Sequence, residues 1–324
     1  MIWGILMNKR NAIIVVALAV LAAVSGCANK QSSGAKGTKA NPWVIGMSQC
    51  TIQEPWRVQM NKDIETAAAK HREIRMIFKD ANDDASTQQN QVRELAQQGV
   101  DLIIVSPKET EPLTAPVAEA YEKGIPVIVL DRRVNGDKYT MFIGGDNVQI
   151  GREAGKFIVK MLGGKGNLVE LKGNISSSPG QDRHNGFAES IKGSAIKVVF
   201  DADCDWKRDK AQNEMSSALQ ANPKIDAVYA HNDPSAMGAY TAAKNEGKGR
   251  EKTIKFIGID ALPSEGVQWV RAGQVTATFQ YPTCGREAIE SAVRILKGEQ
   301  VPKEQILGTR LFTKENAGKG GETL

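Results

Sequence analysis

Short apolar runs rich in β-branched residues alternate with longer segments of helical periodicity from residue 43 onward. Ten runs have the length and composition of strands: 43–47, 74–78, 102–105, 126–130, 140–144, 167–171, 196–200, 227–230, 254–259 and 275–279. Amphipathic helical segments lie between most of them, for example 56–70, 88–98, 113–123, 150–162 and 235–246. This alternation predicts an α/β protein with parallel sheets that helices cover on both faces. Ten strands favour two sheets over one.

Polar or charged residues directly follow many of these runs. They include Gln49, Ser106, Asp131, Arg132, Asn232, Asp260 and Gln280. Ligands of open parallel sheets bind just beyond the carboxyl ends of the strands, so these side chains are candidate contacts. Helix capping explains Ser, Asn and Asp at such positions, but it does not explain Gln49, Arg132 or Gln280. Their recurrence in both halves of the chain predicts two rims that face one ligand.

Residues 7–27 have the pattern of an export signal that ends in a lipid attachment site. Lys9 and Arg10 form a positive start, residues 11–24 are uncharged and mostly apolar, and small residues lead to Cys27. The apolar run of about a dozen residues is too short to span about 30 Å of hydrocarbon. The sequence therefore predicts a signal peptide over 1–26 and a lipidated Cys27. A flexible tether to residue 42 would hold the body at a membrane, outside the cytoplasm.

Charge and cysteine content exclude several classes of protein. The chain has 42 basic and 37 acidic residues. Signal cleavage removes Lys9 and Arg10, and the remaining charge of about +3 is too mild and too evenly spread to predict nucleic-acid binding. Four cysteines, one of them lipidated, leave at most one disulfide. The three histidines lack metal-ligand spacing, so we expect no metal and no cofactor.

Eight local motifs follow one another in the part of the chain from residue 43 to about residue 313. They are Ser48-Gln49 with Glu54-Pro55-Trp56-Arg57, Val105-Ser106-Pro107, 126–132, Gly145-Asp146-Asn147, 182–187, 229–233, Gly258-Ile259-Asp260 and 278–282. This succession resembles the periplasmic binding proteins of the ribose-binding and LacI-related superfamily. The opening motif is more similar to the galactofuranose-binding branch than to the ribose-binding branch.

The resemblance implies a type I periplasmic binding protein with two Rossmann-like lobes. A hinge of three chain crossings, near 144–146, 280–281 and 306–309, would join them. The N-lobe would comprise 43–145 plus 281–308, and the C-lobe 146–280 plus 309–324. Ligand would bind between the lobes of a monomer, and the permease of an ABC transporter would recognise the closed form. On this division Cys204 is expected to be free, and Cys50 with Cys284 is the one candidate pair.

The resemblance also implies a monosaccharide site. Aromatic rings pack on the apolar faces of a sugar, and charged groups bind its hydroxyls. Trp56 and Trp206 are the expected stacking residues, one from each lobe. The implied polar contacts are Gln49, Glu54, Arg57, Ser106, Asp131 and Arg132 from the N-lobe, and Arg183, Asn232, Asp260 and Gln280 from the C-lobe. Arg57 and Ser106 replace a Phe and an Asn of the ribose branch, which argues against binding in the ribose manner.

Three other functions compete with sugar delivery to an ABC importer. An exported hydrolase could use Asp131 and Asp260 as paired carboxylates, but the chain has no Gly-x-Ser-x-Gly, HExxH or zinc motif. A LacI-type repressor needs a helix-turn-helix where this chain has its export signal. A sensory lipoprotein, which presents a sugar to a histidine kinase or chemoreceptor, uses the same closed lobes, so the sequence leaves that alternative open.

Overall fold

The computed structural model describes residues 35–324. The predicted signal peptide, the predicted lipid attachment site at Cys27 and the first residues of the predicted tether lie outside the described residues. Within 35–324, no helix combines the length and the apolar character needed to cross a bilayer.

Strands and helices alternate along the described chain. The strands are β1 (Trp43–Gln49), β2 (Ile74–Asp80), β3 (Leu102–Ser106), β4 (Val127–Leu130), β5 (Met141–Gly145), β6 (Lys165–Lys172), β7 (Ala195–Asp203), β8 (Ala227–Ala230), β9 (Lys255–Asp260), β10 (Ala277–Gln280), β11 (Glu304–Leu307), β12 (Arg310–Thr313) and β13 (Glu322–Thr323). The helices are α1 (Pro55–Ala68), α2 (Ala85–Gln97), α3 (Thr110–Glu122), α4 (Asn147–Met161), α5 (Ser178–Ile191), α6 (Arg208–Ala221), α7 (Asp233–Asn245), α8 (Gly266–Arg271) and α9 (Gly285–Leu296), with a 3-10 turn at Arg250–Lys252.

The strands form two sheets, which we call the N-lobe sheet and the C-lobe sheet. The N-lobe sheet has the order β11-β5-β4-β3-β1-β2, and its neighbouring strands are parallel. The C-lobe sheet has the order β13-β12-β10-β9-β8-β6-β7 and is parallel except at β12 and β13. Strand order reverses beside β1 in the first sheet and beside β6 in the second. Each reversal creates a crevice at the carboxyl ends of the strands, where ligands of such sheets bind.

Burial of the central strands explains why they read as continuous apolar runs. Every residue of β3, β4 and β8 is buried. In the N-lobe, Val92 and Val117 pack from the helices against Ile103 and Val129 of the sheet. Helices on both faces of a parallel sheet require this all-round apolar character. The predicted α/β fold with two parallel-dominated sheets is confirmed.

The chain passes between the two sheets three times. It leaves the N-lobe sheet after β5 and returns after β10, where α9 packs against α1, β3 and β4. It then adds β11 to the N-lobe sheet and β12 to the C-lobe sheet. These passages bring the carboxyl ends of the parallel strands of both sheets to one interface.

The folded body begins before Pro42. Lys36 Nζ lies 2.5 Å from Asp101 Oδ1, and the backbone N–H of Gly37 donates to the carbonyl oxygen of Asn41. The last residues of the predicted tether therefore form a turn on the N-lobe rather than a free linker.

The three cysteines within residues 35–324 are buried free thiols: Cys50, Cys204 and Cys284. Cys204 is free, as predicted, and the candidate Cys50–Cys284 disulfide is not formed. Burial raises the pKa of the Cys204 thiol to about 12, so it is a poor nucleophile at neutral pH.

Candidate ligand-binding site

A polar cavity lies between the two lobes, at the carboxyl ends of their parallel strands. It contains about 290 Å³ of space between atoms, part of which is open to solvent. The lining residues are Glu54, Trp56, Arg57, Asp131, Arg132, Pro179, Arg183, Trp206, Asn232, Asp260 and Tyr281. Nine of the twelve residues predicted from the sequence are among them. Three arginines face three carboxylates, so the lining is balanced in formal charge.

Asp131 follows β4 and forms a buried ion pair with Arg57, with 2.7 Å between Asp131 Oδ2 and Arg57 Nη1. The hydroxyl of Ser106 accepts a hydrogen bond from Arg57 Nη1 at 2.6 Å and donates one to Asp131 Oδ2 at 3.1 Å. Burial alone would raise the pKa of Asp131, but the guanidinium groups of Arg57 and Arg132 outweigh it and lower that pKa. Asp131 is therefore ionised at neutral pH.

Three buried N–H groups on the lining residues lack a hydrogen-bond partner within residues 35–324: Arg57 Nε, Arg132 Nε and Trp206 Nε1. The Arg132 side chain is otherwise fixed, because its Nη1 donates to the carbonyl oxygen of Lys108 at 2.8 Å. A buried donor without a partner costs about 1–3 kcal/mol. A ligand rich in oxygen acceptors would satisfy such donors.

Arg183 of α5 occupies the C-lobe side of the cavity. Its Nε donates to Asn147 Oδ1 at 2.9 Å, and its Nη1 donates to the carbonyl oxygen of His231. The guanidinium carbon lies 5.3 Å from the centre of the Trp206 ring and 4.6 Å from that of Tyr281. These contacts fix the guanidinium group between two aromatic rings.

Asn232 performs the capping role that its residue type suggests and also lines the cavity. Its Oδ1 accepts a hydrogen bond from the backbone N–H of Ser235 at 3.0 Å, which caps α7. Its Nδ2 donates to the carbonyl oxygen of Trp206 at 3.0 Å. The Asn232 amide thus positions Trp206 within the C-lobe.

Two lining carboxylates receive no hydrogen bond within residues 35–324. Asp260 ends β9 and is 8% exposed. Burial raises its pKa well above the ordinary value; Arg183 opposes this rise and Asp233 adds to it. The pKa of Glu54 is also raised, mainly by burial. Both side chains therefore remain available for hydrogen bonds to a ligand.

Backbone strain is concentrated at the cavity. Eight non-glycine residues within 35–324 have positive φ, and three of these line the cavity: Asp131 at 67°, Trp206 at 66° and Asp260 at 123°. Such conformations cost about 1–3 kcal/mol each and cluster at ligand-binding sites. The positive φ values of these three residues indicate that placing their side chains at the cavity lowers the stability of the fold.

The aromatic side chains form walls of the cavity. Trp56 Nε1 donates to the carbonyl oxygen of Tyr281 at 3.0 Å, and the two rings lie 5.2 Å apart. The Trp206 ring packs on Gly173, where a Cβ atom would lie 2.2 Å from the ring. Tyr281 and Pro179 were not predicted as site residues. Tyr281 directly follows Gln280 at the second chain crossing. The family resemblance implies a hinge at this position, so its aromatic ring was not predicted as a ligand contact.

Three predicted residues do not line the cavity. Gln49 and Ser106 are the last residues of β1 and β3 and are partners in register. Gln49 Nε2 donates to Asn61 Oδ1 at 3.0 Å, and Ser106 supports the Arg57–Asp131 pair. The carbonyl oxygen of Gln280 accepts a hydrogen bond from Thr309 Oγ1 at 2.6 Å.

Residues 45–300 match the model of the periplasmic binding protein domain family. The chain belongs to this family. The ribose import binding protein RbsB of Bacillus subtilis (strain 168) is 32% identical over 299 residues, which cover 91% of this chain and 96% of that protein. The galactofuranose-binding protein YtfQ of Escherichia coli (strain K12) is 32% identical over 277 residues, 83% and 86% of the two chains.

A solved structure is also similar to this periplasmic binding protein. The fructose-binding periplasmic domain of the hybrid two-component system BT1754 is 44% identical, with a TM-score of 0.82, over 85% of this chain and 92% of that one. The predicted family resemblance is confirmed. The relatives are solute-binding proteins and not enzymes, which excludes the hydrolase alternative, and the family is extracytoplasmic.

Proposed function

We propose that the protein captures one neutral monosaccharide in the cavity between its lobes. The observation that carries this proposal is the mixture of groups without a hydrogen-bond partner on the lining: three N–H donors and the carboxyl group of Asp260. A sugar hydroxyl is both a donor and an acceptor, so a ring of hydroxyls matches this mixture. The rings of Trp56 and Trp206 offer faces for the C–H groups of the sugar.

The balanced charge of the lining supports a neutral ligand. Arg57 and Asp131 form an ion pair at 2.7 Å, and two further arginines, Arg132 and Arg183, line the same cavity as the carboxyl groups of Glu54 and Asp260. A uronic acid would add an uncompensated negative charge to a desolvated site. We therefore expect neutral sugars to bind better than their uronate counterparts.

We further propose that the protein is anchored by a lipid on Cys27 and delivers its sugar to an ABC importer. The sequence pattern around Cys27 supports the anchor, and the similarity to a ribose import binding protein supports the importer. Membrane fractionation should find the protein with the membrane, and a Cys27→Ala variant in the soluble fraction. An unchanged distribution would refute the lipid anchor.

A sensory role is the second candidate function. It is favoured by the 44% identity to the fructose-binding domain of a hybrid two-component system. Uptake of the labelled sugar by cells that lack the gene distinguishes the two roles. Lost uptake supports the importer, whereas normal uptake with a lost transcriptional response to the sugar supports the sensor.

A thermal-shift screen tests the sugar-binding proposal. The panel contains D-fructose, D-ribose, D-galactose, D-allose and L-arabinose, with D-galacturonate as the charged control for D-galactose. A ligand present at a hundred times its dissociation constant stabilises the folded state by about 2.7 kcal/mol. At least one neutral sugar should raise the melting temperature by several degrees. A response to D-galacturonate alone would contradict the expectation of a neutral ligand.

A further inference from the structure

Four charged side chains form an ion-pair cluster at the interface of the lobes, outside the cavity lining. We call Asp83, Lys108, Asp205 and Lys207 the interlobe cluster. Lys108 Nζ lies 2.5 Å from Asp83 Oδ1 and 3.1 Å from Asp205 Oδ1. Lys207 Nζ lies 2.8 Å from Asp83 Oδ2 and 3.1 Å from Asp205 Oδ2. The four groups alternate in charge around a closed ring.

Each lobe contributes one aspartate and one lysine to the interlobe cluster. Asp83 and Lys108 follow strands of the N-lobe sheet, and Asp205 and Lys207 follow β7 of the C-lobe sheet. Two of the four ion pairs therefore lie within a lobe, and two cross the interface. When the lobes separate, each lysine keeps the aspartate of its own lobe. Opening breaks two pairs without leaving an unpaired charge, which makes the contact reversible.

Three of the four side chains of the cluster are mostly buried, whereas that of Lys207 is 43% exposed. The Lys108 side chain is 7% exposed, and the carboxylates of Asp83 and Asp205 are 16% and 21% exposed. Burial alone would raise the pKa of Asp205, but hydrogen bonds from Asn174 and the nearby lysines outweigh it and lower that pKa. Partly buried pairs are screened less by salt and water than exposed ones.

Lys108 connects the cluster to two residues of the cavity. Its backbone carbonyl accepts the hydrogen bond from Arg132 Nη1 at 2.8 Å. Its side chain holds Asp205, which directly precedes Trp206. The Arg132 guanidinium lies 5.5 Å from the centre of the Trp206 ring. Formation of the cluster therefore brings a cation of the N-lobe and an aromatic ring of the C-lobe together.

We propose that the interlobe cluster holds the lobes closed at low ionic strength even without sugar, and that Lys108 is the positioning residue that couples closure to the Arg132–Trp206 contact. The cluster does not lock the closed state, because each lysine keeps an aspartate of its own lobe when the lobes separate. One consequence of this inference rests on the proposed function. If the protein binds an uncharged sugar, its affinity for that sugar should depend on the salt concentration.

Small-angle X-ray scattering of the protein without any sugar tests the inference. Between about 0.01 M and about 1 M salt the Debye length falls from about 30 Å to about 3 Å. The radius of gyration of the parent should increase over this range. Lys108→Met keeps the length of the side chain but removes its charge, and should lower the closed-to-open ratio by roughly threefold to tenfold at low salt. Lys108→Arg should behave as the parent does.

Lys79→Met is the matched control, because Lys79 pairs with Glu94 inside the N-lobe at 2.9 Å. It should leave the radius of gyration unchanged at both salt concentrations. Lys207→Met provides a second, more exposed test should Lys108→Met fail to fold. Equal radii for the parent and the cluster variants at low salt would overturn the inference. Because no sugar is present, this outcome is independent of whether the sugar proposal holds.

Discussion

Asp260 is the residue whose environment is least explained by folding alone. Its carboxylate is buried, has no hydrogen-bond donor within residues 35–324, and sits on backbone with a φ of 123°. A buried carboxylate without donors destabilises the folded protein. We therefore interpret Asp260 as a ligand contact whose placement lowers the stability of the folded protein.

Replacing Asp260 by Asn separates binding from folding. The amide keeps the shape but removes the charge that accepts hydrogen bonds from sugar hydroxyls, so affinity should fall by roughly tenfold to a hundredfold, since such bonds contribute about 1.5–3 kcal/mol. The melting temperature without sugar should stay equal or rise, because a desolvated carboxylate has been removed. Calorimetric titration and thermal unfolding measure the two effects. If the variant binds the sugar with the affinity of the parent, Asp260 does not contact the sugar.

Trp206 offers both a ring face and an N–H group to the cavity. Trp206→Ala should weaken binding by about 3 kcal/mol, on the scale of an anchoring aromatic side chain. Trp206→Phe retains a ring but lacks the unpaired Nε1 donor, and should weaken binding by a smaller factor of roughly ten. Titrations that follow intrinsic fluorescence report both values. Similar affinities for the parent and Trp206→Ala would show that the ring does not contact the sugar.

The rule that polar residues follow buried strands found much of the cavity from sequence. It located Asp131, Asn232 and Asp260, which all line the cavity. It also placed Gln49 and Ser106 at the cavity, but these last residues of β1 and β3 do not line it. Asp260 is likewise the last residue of its strand, β9, and does line the cavity. Tertiary packing decides which of these side chains reaches the cavity, and the sequence does not display that packing.

At the scale of elements, buried strands were predictable and edge strands were not. The strand 227–230 was predicted with the bounds of β8, because a buried parallel strand is apolar throughout. In contrast, β11 and β13 are short, polar and largely exposed. They are strands only because a neighbour in the sheet pairs with them, a condition that local sequence cannot reveal.

Glu170 of β6 joins three elements of the C-lobe through hydrogen bonds. Its Oε1 lies 2.9 Å from His184 Nδ1 of α5 and 3.0 Å from His231 Nε2 after β8. Burial alone would raise the pKa of Glu170, but the two histidines outweigh it and lower that pKa to about 2. The ionised carboxylate therefore stabilises the fold above a pH of about 4.5, and this contribution is lost as the pH falls toward about 2.

Glu170→Gln tests this three-element contact. At pH 7 the variant should lose about 2–3 kcal/mol of unfolding free energy, because hydrogen bonds to a charged group are removed. At pH 3 the difference from the parent should be smaller, since the parent has then lost part of the same contribution. Urea unfolding of the parent and the variant at both pH values measures this difference in unfolding free energy. An equal difference at the two pH values would mean that the charge of Glu170 contributes nothing.

At the scale of the whole molecule, three chain passages bring two similar lobes to one cavity. Contacts across the interface hold the closed arrangement: the backbone N–H of Thr110 donates to the carbonyl oxygen of Ser176 at 3.0 Å, and that of Arg133 donates to Ser178 Oγ at 2.8 Å. The family resemblance predicted two lobes and their interface. The interlobe cluster was not predictable, because its four residues come from three separate loops and meet only in three dimensions.

The crystal structure of the protein grown with the sugar that gives the largest thermal shift tests the central claim most directly. The sugar should lie between the lobes, with a hydroxyl within hydrogen-bond distance of the Asp260 carboxylate, others on Arg132 and Arg183, and a ring face against Trp206. Two lobes closed around one enclosed monosaccharide is the predicted result. A sugar bound on the outer surface, or in the cavity without contact to Asp260 and the arginines, would contradict it.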